Sequence, residues 1–341
     1  MMPRNASSNS ETSGSPISAA SAGAATSPAR LAARPAALPA ALDLQAWVGR
    51  QERREDHFHP TPVQALAATL DHDRVEAHQG APLPPLWHWL YFLPLHRARD
   101  IGPDGHARRG GFLPPVPLPR RMWAGSRFEF LSPLHVGDHV QRVSTIESVQ
   151  ERQGRSGALV FVTVRHELTV AGRPTPSLLE WHDIVYREEP APGAPATAGE
   201  PAPAPNPTLP HWQRSLVPDE VLLFRYSALT FNGHRIHYDR RHVTQTEGYP
   251  GLVVHGPLIA TLLLDLLHRQ EPQAQVRSFN FKARHPCFDG EQLTLHGQPG
   301  GGQPSAAQGV HGASSATGGA VHLWAEGPGG VLLMDAQAQL R

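Results

Sequence analysis

Two stretches of this chain follow one plan, which confines it to folds built from a duplicated unit. The first reads Arg127-Phe-Glu-Phe-Leu-Ser-Pro133-Leu-His-Val-Gly137-Asp138, the second Asn280-Phe-Lys-Ala-Arg-His-Pro286-Cys-Phe-Asp-Gly290-Glu291. With the prolines superposed, Phe128 meets Phe281, Gly137 meets Gly290, and an acid follows each glycine. In both, a strand runs into a Pro-marked break, turns at Gly and continues as a new strand. After the first turn, Val140, Val143, Ile146 and Val149 lead through Gln153–Gly157 to the alternating run Ala158–Val170, a strand pair. After the second, Leu293–His296, Val321–Ala325 and Val331–Leu340 read as the matching strands.

Each Phe-rich strand has an apolar helix upstream. Pro257-Leu-Ile-Ala-Thr-Leu-Leu-Leu-Asp-Leu-Leu-His268 is apolar on nearly every side, so it belongs inside the protein rather than on a surface. Pro257 suits the first turn, where its missing N–H costs nothing. Pro85–Leu93 is the shorter counterpart in the first block, ended by Pro94. An antiparallel sheet wrapped around one helix, present twice, is an α+β double hot-dog fold, one copy per block.

Composition sets the boundaries. Residues 1–41 are mostly Ser, Ala, Pro, Gly and Thr without periodicity and read as a disordered tail. Residues 189–210 form a Pro/Ala linker, and 299–320 a flexible Gly/Ser loop between strands. That leaves an N-terminal domain at 42–188, expected to form a tunnel without catalytic residues of its own, and a C-terminal domain at 211–341. The 30 Lys+Arg balance the 30 Asp+Glu, which argues against a nucleic-acid footprint. Cys287 is the single cysteine, excluding a disulfide framework and fitting a reducing compartment. No apolar run approaches the roughly 20 residues a bilayer requires, so membrane insertion is not expected. The expected location is cytoplasmic, or mitochondrial if the tail, with Arg4, Arg30 and Arg34 against Glu11, is a transit peptide.

The chemistry concentrates in Phe224-Arg-Tyr226-Ser-Ala-Leu-Thr230-Phe-Asn232-Gly-His234-Arg-Ile-His237-Tyr-Asp239, followed by Leu252-Val-Val-His255-Gly256-Pro257 opening the buried helix. A helix N-terminus offers free N–H groups and positive dipole character. A neutral histidine beside it serves as a general base near neutral pH. The combination suits proton transfer next to a carbonyl whose oxygen gathers negative charge. No HExxH or comparable cluster is present, so no metal site is expected.

This segment resembles the type 2 enoyl-thioester hydratase (MaoC-like) motif, with Tyr226, Leu229, Thr230, Ile236 and His237 at matching positions. It departs from the motif at Phe231, Asn232, His234 and Arg235. The wording is closer still to the hydroxyacyl-thioester dehydratase type 2 family, as are Gly248-Tyr-Pro-Gly-Leu-Val-Val-His-Gly-Pro-Leu258 and Gly110-Gly-Phe-Leu-Pro-Pro-Val-Pro-Leu-Pro-Arg-Arg-Met-Trp-Ala124. The resemblance implies a hydro-lyase that hydrates an enoyl thioester, or reversibly dehydrates a 3-hydroxyacyl thioester. His237 falls on the catalytic histidine, and Gly256 on the glycine whose N–H binds the thioester oxygen. Asn232 replaces the acid/base aspartate, either holding water through its amide or merely closing an Asx turn.

Tyr226, His234 and His255 are expected to shape the pocket or touch substrate, with His234 read as orienting rather than basic. Asp239 is expected to bond backbone or Arg. Arg120 and Arg121, in a group with Arg97, Arg99, Arg108 and Arg109, are candidates for the phosphates of coenzyme A or an acyl carboxylate. The implied partner is an acyl-CoA or acyl-carrier-protein substrate, best a mesaconyl-C4-CoA type, with no separate cofactor and a homodimer allowed for. The competing readings are a hot-dog thioesterase and a non-catalytic acyl-thioester-binding protein.

Overall fold

The computed structural model describes residues 43–154, 157–188, 202–205, 212–300 and 319–341. The expected tail, most of the Pro/Ala linker and most of the Gly/Ser loop lie outside the described residues. In chain order the elements are β1 (Gln51–His57), α1 (Pro60–Thr69), β2 (Arg120–Phe130), β3 (His139–Gly154), β4 (Gly157–Val170) and β5 (Leu178–Arg187). The second half continues with β6 (Trp212–Leu216), α2 (Glu220–Leu229), α3 (Arg240–Gln245), α4 (Gly256–Gln270), β7 (Val276–Ala283), β8 (Leu293–Pro299), β9 (Ala320–Gly327) and β10 (Val331–Leu340). Among the described residues, no helix is long and apolar enough to cross a membrane.

All ten strands form one antiparallel sheet in the order β1-β3-β4-β5-β2-β7-β10-β9-β8-β6. The order is palindromic about the β2–β7 contact, each strand of the first half matched by one of the second. Arg127 pairs directly with Asn280 across that contact. These two residues also coincide when the sequence repeat is superposed, so the pseudo-twofold axis of the duplication passes through this pair. Gly137 and Gly290 occupy equivalent turns at φ 96° and 77°, conformations that a β-carbon disfavours.

The halves have diverged at their central helices. In α4, every residue from Leu258 to Leu267 is buried, as an all-round apolar sequence requires. The charged exception, Asp265, accepts bonds from Arg214 Nη1 at 2.6 Å and Arg269 Nε at 2.8 Å, with His72 Nε2 2.7 Å away. The helix expected at Pro85–Leu93 is not formed; a single 3-10 turn, Trp87–Leu90, takes its place. Leu86 and Phe92 stand at φ 70° and 55°, where an α-helix cannot propagate. The aromatic rings between them pack on other elements: Tyr91 stacks on Phe58 at 4.1 Å, and Trp89 lies edge-on to Trp123 at 5.2 Å. α1, which the sequence reading did not anticipate, packs against α2.

One hydrophobic core surrounds α4 and crosses the seam through Phe128, Phe279 and Phe281. A second, confined to the first half, gathers Ile146, Val162, Ile184 and Tyr186. Between them lies a buried polar row. His166 Nδ1 is 2.7 Å from Ser144 Oγ, and Glu180 receives Trp89 Nε1–H and lies 3.1 Å from His88 Nε2. Burial opposes ionisation of Glu180, but the bond and charge of His88 take it down to about 2.

Phe128 and Phe279 are directly paired, with ring centroids 6.1 Å apart. Truncating either to Ala is expected to cost about 3–5 kcal/mol. Because the rings touch, the double variant should depart from the sum of the single losses by more than about 0.5 kcal/mol in urea unfolding. Simple additivity would show that the seam is not packed as described.

Candidate active site

The site is built where α2 ends. Asp219 caps the helix by accepting Leu222 N–H at 2.8 Å, and Thr230 closes it by donating its hydroxyl to the Tyr226 carbonyl. Phe231 then reverses the chain at φ 51°, a left-handed conformation at the position where the motif carries Gly. Asn232 Oδ1 accepts His234 N–H at 3.0 Å, the Asx turn that short amides favour. A 3-10 turn, Arg235–His237, follows. Asp239 stops it by capping α3 through His242 N–H at 2.9 Å and pairing with Arg235 at 2.7 Å.

His237 Nδ1 lies 2.7 Å from the Val253 carbonyl. A carbonyl only accepts, so Nδ1 carries the hydrogen and Nε2 is left with its lone pair. The ring stacks on His255 with centroids 3.7 Å apart. His255 occupies the N-cap position of α4 without a side-chain capping bond, and Gly256 is that helix's first residue. The N–H groups of a first turn have no partner within their own helix. A β-carbon built on Gly256 would meet no atom within 4 Å, so the space beside its Cα is open. His255 Nε2 lies 2.8 Å from Ser227 Oγ, and Tyr226 sets its ring against His255 at 5.0 Å. Motif and helix entrance therefore converge: His237, His255, Gly256 and Tyr226 form one cluster.

The first half also reaches this cluster. Its loop Ile101–Ala107, closed by a bridge between its ends, lies against residues 233–235. Arg235 N–H donates to the Asp104 carbonyl, and Arg235 Nη1 to the Pro103 carbonyl, both at 2.9 Å. Gly105, at φ 90°, approaches Gly233 so closely that an added β-carbon would lie 1.7 Å from its oxygen. The contact brings His106 to 3.9 Å from His234, whose ring stands 5.4 Å from His237. His106 Nδ1 is 2.9 Å from Asp104 Oδ2. Sequence reading passed over both residues. The signal was a histidine in a Gly-Pro-Asp-Gly-His turn, but nothing local tied that turn to position 234.

Burial governs the electrostatics. It takes His237 down to about 4, the Val253 bond opposing it and His106 adding to it. Burial, with His237 and His234 nearby, holds His255 well below the ordinary histidine range. His234 is likewise held low by burial and by His106. His106 is lowered by burial and Arg121, partly offset by Asp104. Burial would raise Asp104, but the hydrogen bond and charge of His106 hold it below the usual carboxylate range. Burial thus holds four imidazoles low, and two of them, His106 and His234, stand beside the Asp104 carboxylate. Asp104, His106 and His234 each place a ligand atom within 4.8 Å of the others. His106 and Asp104 are already joined by a hydrogen bond, and we read the three as a proton network.

The arginines divide. Arg120 is held in the protein, donating to the Glu247 carbonyl at 2.8 Å and lying over the Tyr249 ring at 5.5 Å. Arg109 is bound to the carbonyls of Val116, Leu118 and Pro119. Arg121 lies near Tyr186, His106 and His234, on which its charge acts. Arg97, Arg99 and Arg108 are exposed.

The profile of the hydroxyacyl-thioester dehydratase type 2 family matches residues 86–289. A mesaconyl-C(4)-CoA hydratase of Chloroflexus aurantiacus is 44% identical over 298 residues, covering 87% of this chain and 98% of the relative. A solved MaoC-like dehydratase superposes with a TM-score of 0.60 at 16% identity, over 88% of this chain and 99% of its own. A Mycobacterium tuberculosis structure described as a double hotdog fold superposes at 0.51 with 14% identity, over 86% and 96%.

Two outcomes follow from this geometry. His166, His182 and His237 are held at about 4, 3 and 4, against 6.5 for the free imidazole. The unfolded chain therefore binds more protons below 6.5, and stability should be full above that pH and fall as pH drops toward 4. A melting temperature that stays flat between about pH 7 and about pH 5 contradicts this. Arg120→Ala should lose about 1–3 kcal/mol in chemical denaturation. An unchanged midpoint would show that Arg120 is not a structural tie.

Proposed function

The chain belongs to the hydroxyacyl-thioester dehydratase type 2 family and is a hydro-lyase of acyl thioesters; from there we propose that its substrate is a short dicarboxylic enoyl-CoA of the mesaconyl-C4 type. The observation that carries the reading is the unprotonated Nε2 of His237 beside the entrance of α4, with open space at the Cα of Gly256. The thioester carbonyl would receive the Gly256 N–H. There the helix dipole favours the negative charge that grows on oxygen as the α,β double bond is attacked.

His237 accepts a hydrogen bond from the attacking water on Nε2, and the bond to Val253 keeps the ring in the tautomer that can accept it. Its neutrality matters, because a protonated ring could not bind water in that sense. Asn232 uses its side-chain oxygen to close the turn, so any hold on water would come from its amide hydrogens. The thioester itself makes the α-carbon acidic, and the reading invokes no cofactor. Arg121, whose charge reaches His106 and His234, would be the arginine to meet an acyl carboxylate or a coenzyme A phosphate. The 44% identity to a mesaconyl-C(4)-CoA hydratase supports the choice of acyl group.

Incubation with a panel of enoyl-CoAs, followed by mass spectrometry, should show the gain of one water without release of free thiol. Free coenzyme A as product would mean a thioesterase. Acyl-CoA binding without turnover would mean a binding protein. His237→Ala should lower turnover by about 10²–10⁴-fold while leaving the melting temperature near that of the parent. Near-normal turnover in the folded variant would remove His237 from the chemistry.

A further inference from the structure

Hydration moves one proton from water to the α-carbon, and the second half of the chain does not supply its carrier in full. Asn232 stands where the resembling motif has its acid/base carboxylate, and an amide neither takes nor gives a proton near neutral pH. Asp239, the next carboxylate along, is engaged by the His242 N–H and by Arg235. His237 alone would become an isolated cation in a buried site, a cost expressed in its depression to about 4.

The first half brings a carboxylate and an imidazole to the same place. The Ile101–Ala107 loop is fixed on residues 233–235 by two backbone-directed bonds and the Gly105–Gly233 contact. There His106 donates Nδ1–H to Asp104 across 2.9 Å, leaving a lone pair on Nε2, and sets its ring 3.9 Å from His234. We propose that Asp104 and His106 together replace the carboxylate absent at position 232, His106 carrying the proton between water and the α-carbon and Asp104 holding its ring. This rests on the hydratase reading above and deepens it.

The charge balance favours this pair over His237. A proton on His106 turns an anionic pair into a net-neutral ion pair, whereas a proton on His237 has no counterion in contact. Asp104 orients the imidazole and stabilises its cation in the way a buried aspartate serves a catalytic histidine. The charged and titratable groups facing His106 are Asp104, Arg121, Arg109, His234 and His237. Of these, Asp104 makes the ring more basic, while Arg121 and Arg109 make it less so.

In the hydration step the water oxygen bonds to the β-carbon as the π electrons move to the thioester oxygen at Gly256. One water hydrogen passes to His106 Nε2; the other stays on the new hydroxyl, bonded to His237 Nε2. The imidazolium then gives its proton to the α-carbon as the enolate collapses, and His106 returns to neutral. One proton leaves water and one arrives at carbon, with no change in oxidation state. Run backwards, the same path is dehydration.

The test uses the full chain and the enoyl-CoA that it hydrates best. His106→Ala should keep its fold by circular dichroism and lose about 10²–10⁴-fold in kcat with little change in KM, and added imidazole should restore part of the rate. If His106→Ala does not fold, His106→Gln is read the same way. Asp104→Asn should slow turnover and move the acidic limb of the kcat profile to lower pH, because the carboxylate that raises His106 basicity is gone. A merely structural pair would give no imidazole rescue and an unmoved limb.

Active wild type together with a folded His106 variant of near-normal kcat overturns the assignment alone. An inactive wild type across the panel overturns the hydratase reading and this assignment with it. Stoichiometric bound metal whose chelation abolishes wild-type turnover overturns it in favour of a cation held by the same three residues.

Discussion

The hydrogen bond from His237 Nδ1 to the Val253 carbonyl joins the two segments on which the site depends. It fixes the tautomer, so that Nε2 faces outward as an acceptor. It also ties the 3-10 turn after α2 to the strand-like lead into α4, a tie reinforced by Val253 N–H donating to the Ile236 carbonyl at 3.0 Å. Stacking of His237 on His255 then places the imidazole next to the residue that opens α4. A base without the helix entrance, or the entrance without the base, would lack half of the chemistry. One short bond holds them in register.

Duplication supplies the frame and divergence supplies the function. Both halves retain the five-strand order, the Phe-rich inner strand and the Gly turn. Only the second retains the long apolar helix, whose N-terminus is the electrostatic resource of the site. In the first half the equivalent stretch is a single 3-10 turn among aromatic rings, above a buried polar row. The first half is more than a wall, however. Its 101–107 loop crosses to the motif of the second half and contributes a carboxylate and an imidazole, so the site is shared between the halves.

The sequence reading succeeded where local pattern determines structure. The Phe–Pro–Gly repeat announced β2 and β7, because turns and strand periodicity are properties of short segments. α4 was legible from its unbroken apolarity, and the segments that carry His237 and Gly256 from their resemblance to the family motif. The reading failed where distant residues decide. The expected helix at Pro85–Leu93 is broken by left-handed Leu86 and Phe92, in a stretch whose rings pack on other elements. Arg120 looked like an anion ligand, but its partners Glu247 and Tyr249 are brought to it only by the fold. Asp104 and His106 were invisible for the same reason: the Gly105–Gly233 contact that delivers them joins segments far apart in the chain.

The protonation state of one ring is the centre of this account, and nitrogen-15 NMR of the histidines observes it directly. With the resonance assigned through His237→Ala, the account predicts that His237 is neutral, protonated on Nδ1, and titrates only near about 4. A ring protonated on Nε2, or one that titrates near the free-imidazole value of 6.5, would contradict it.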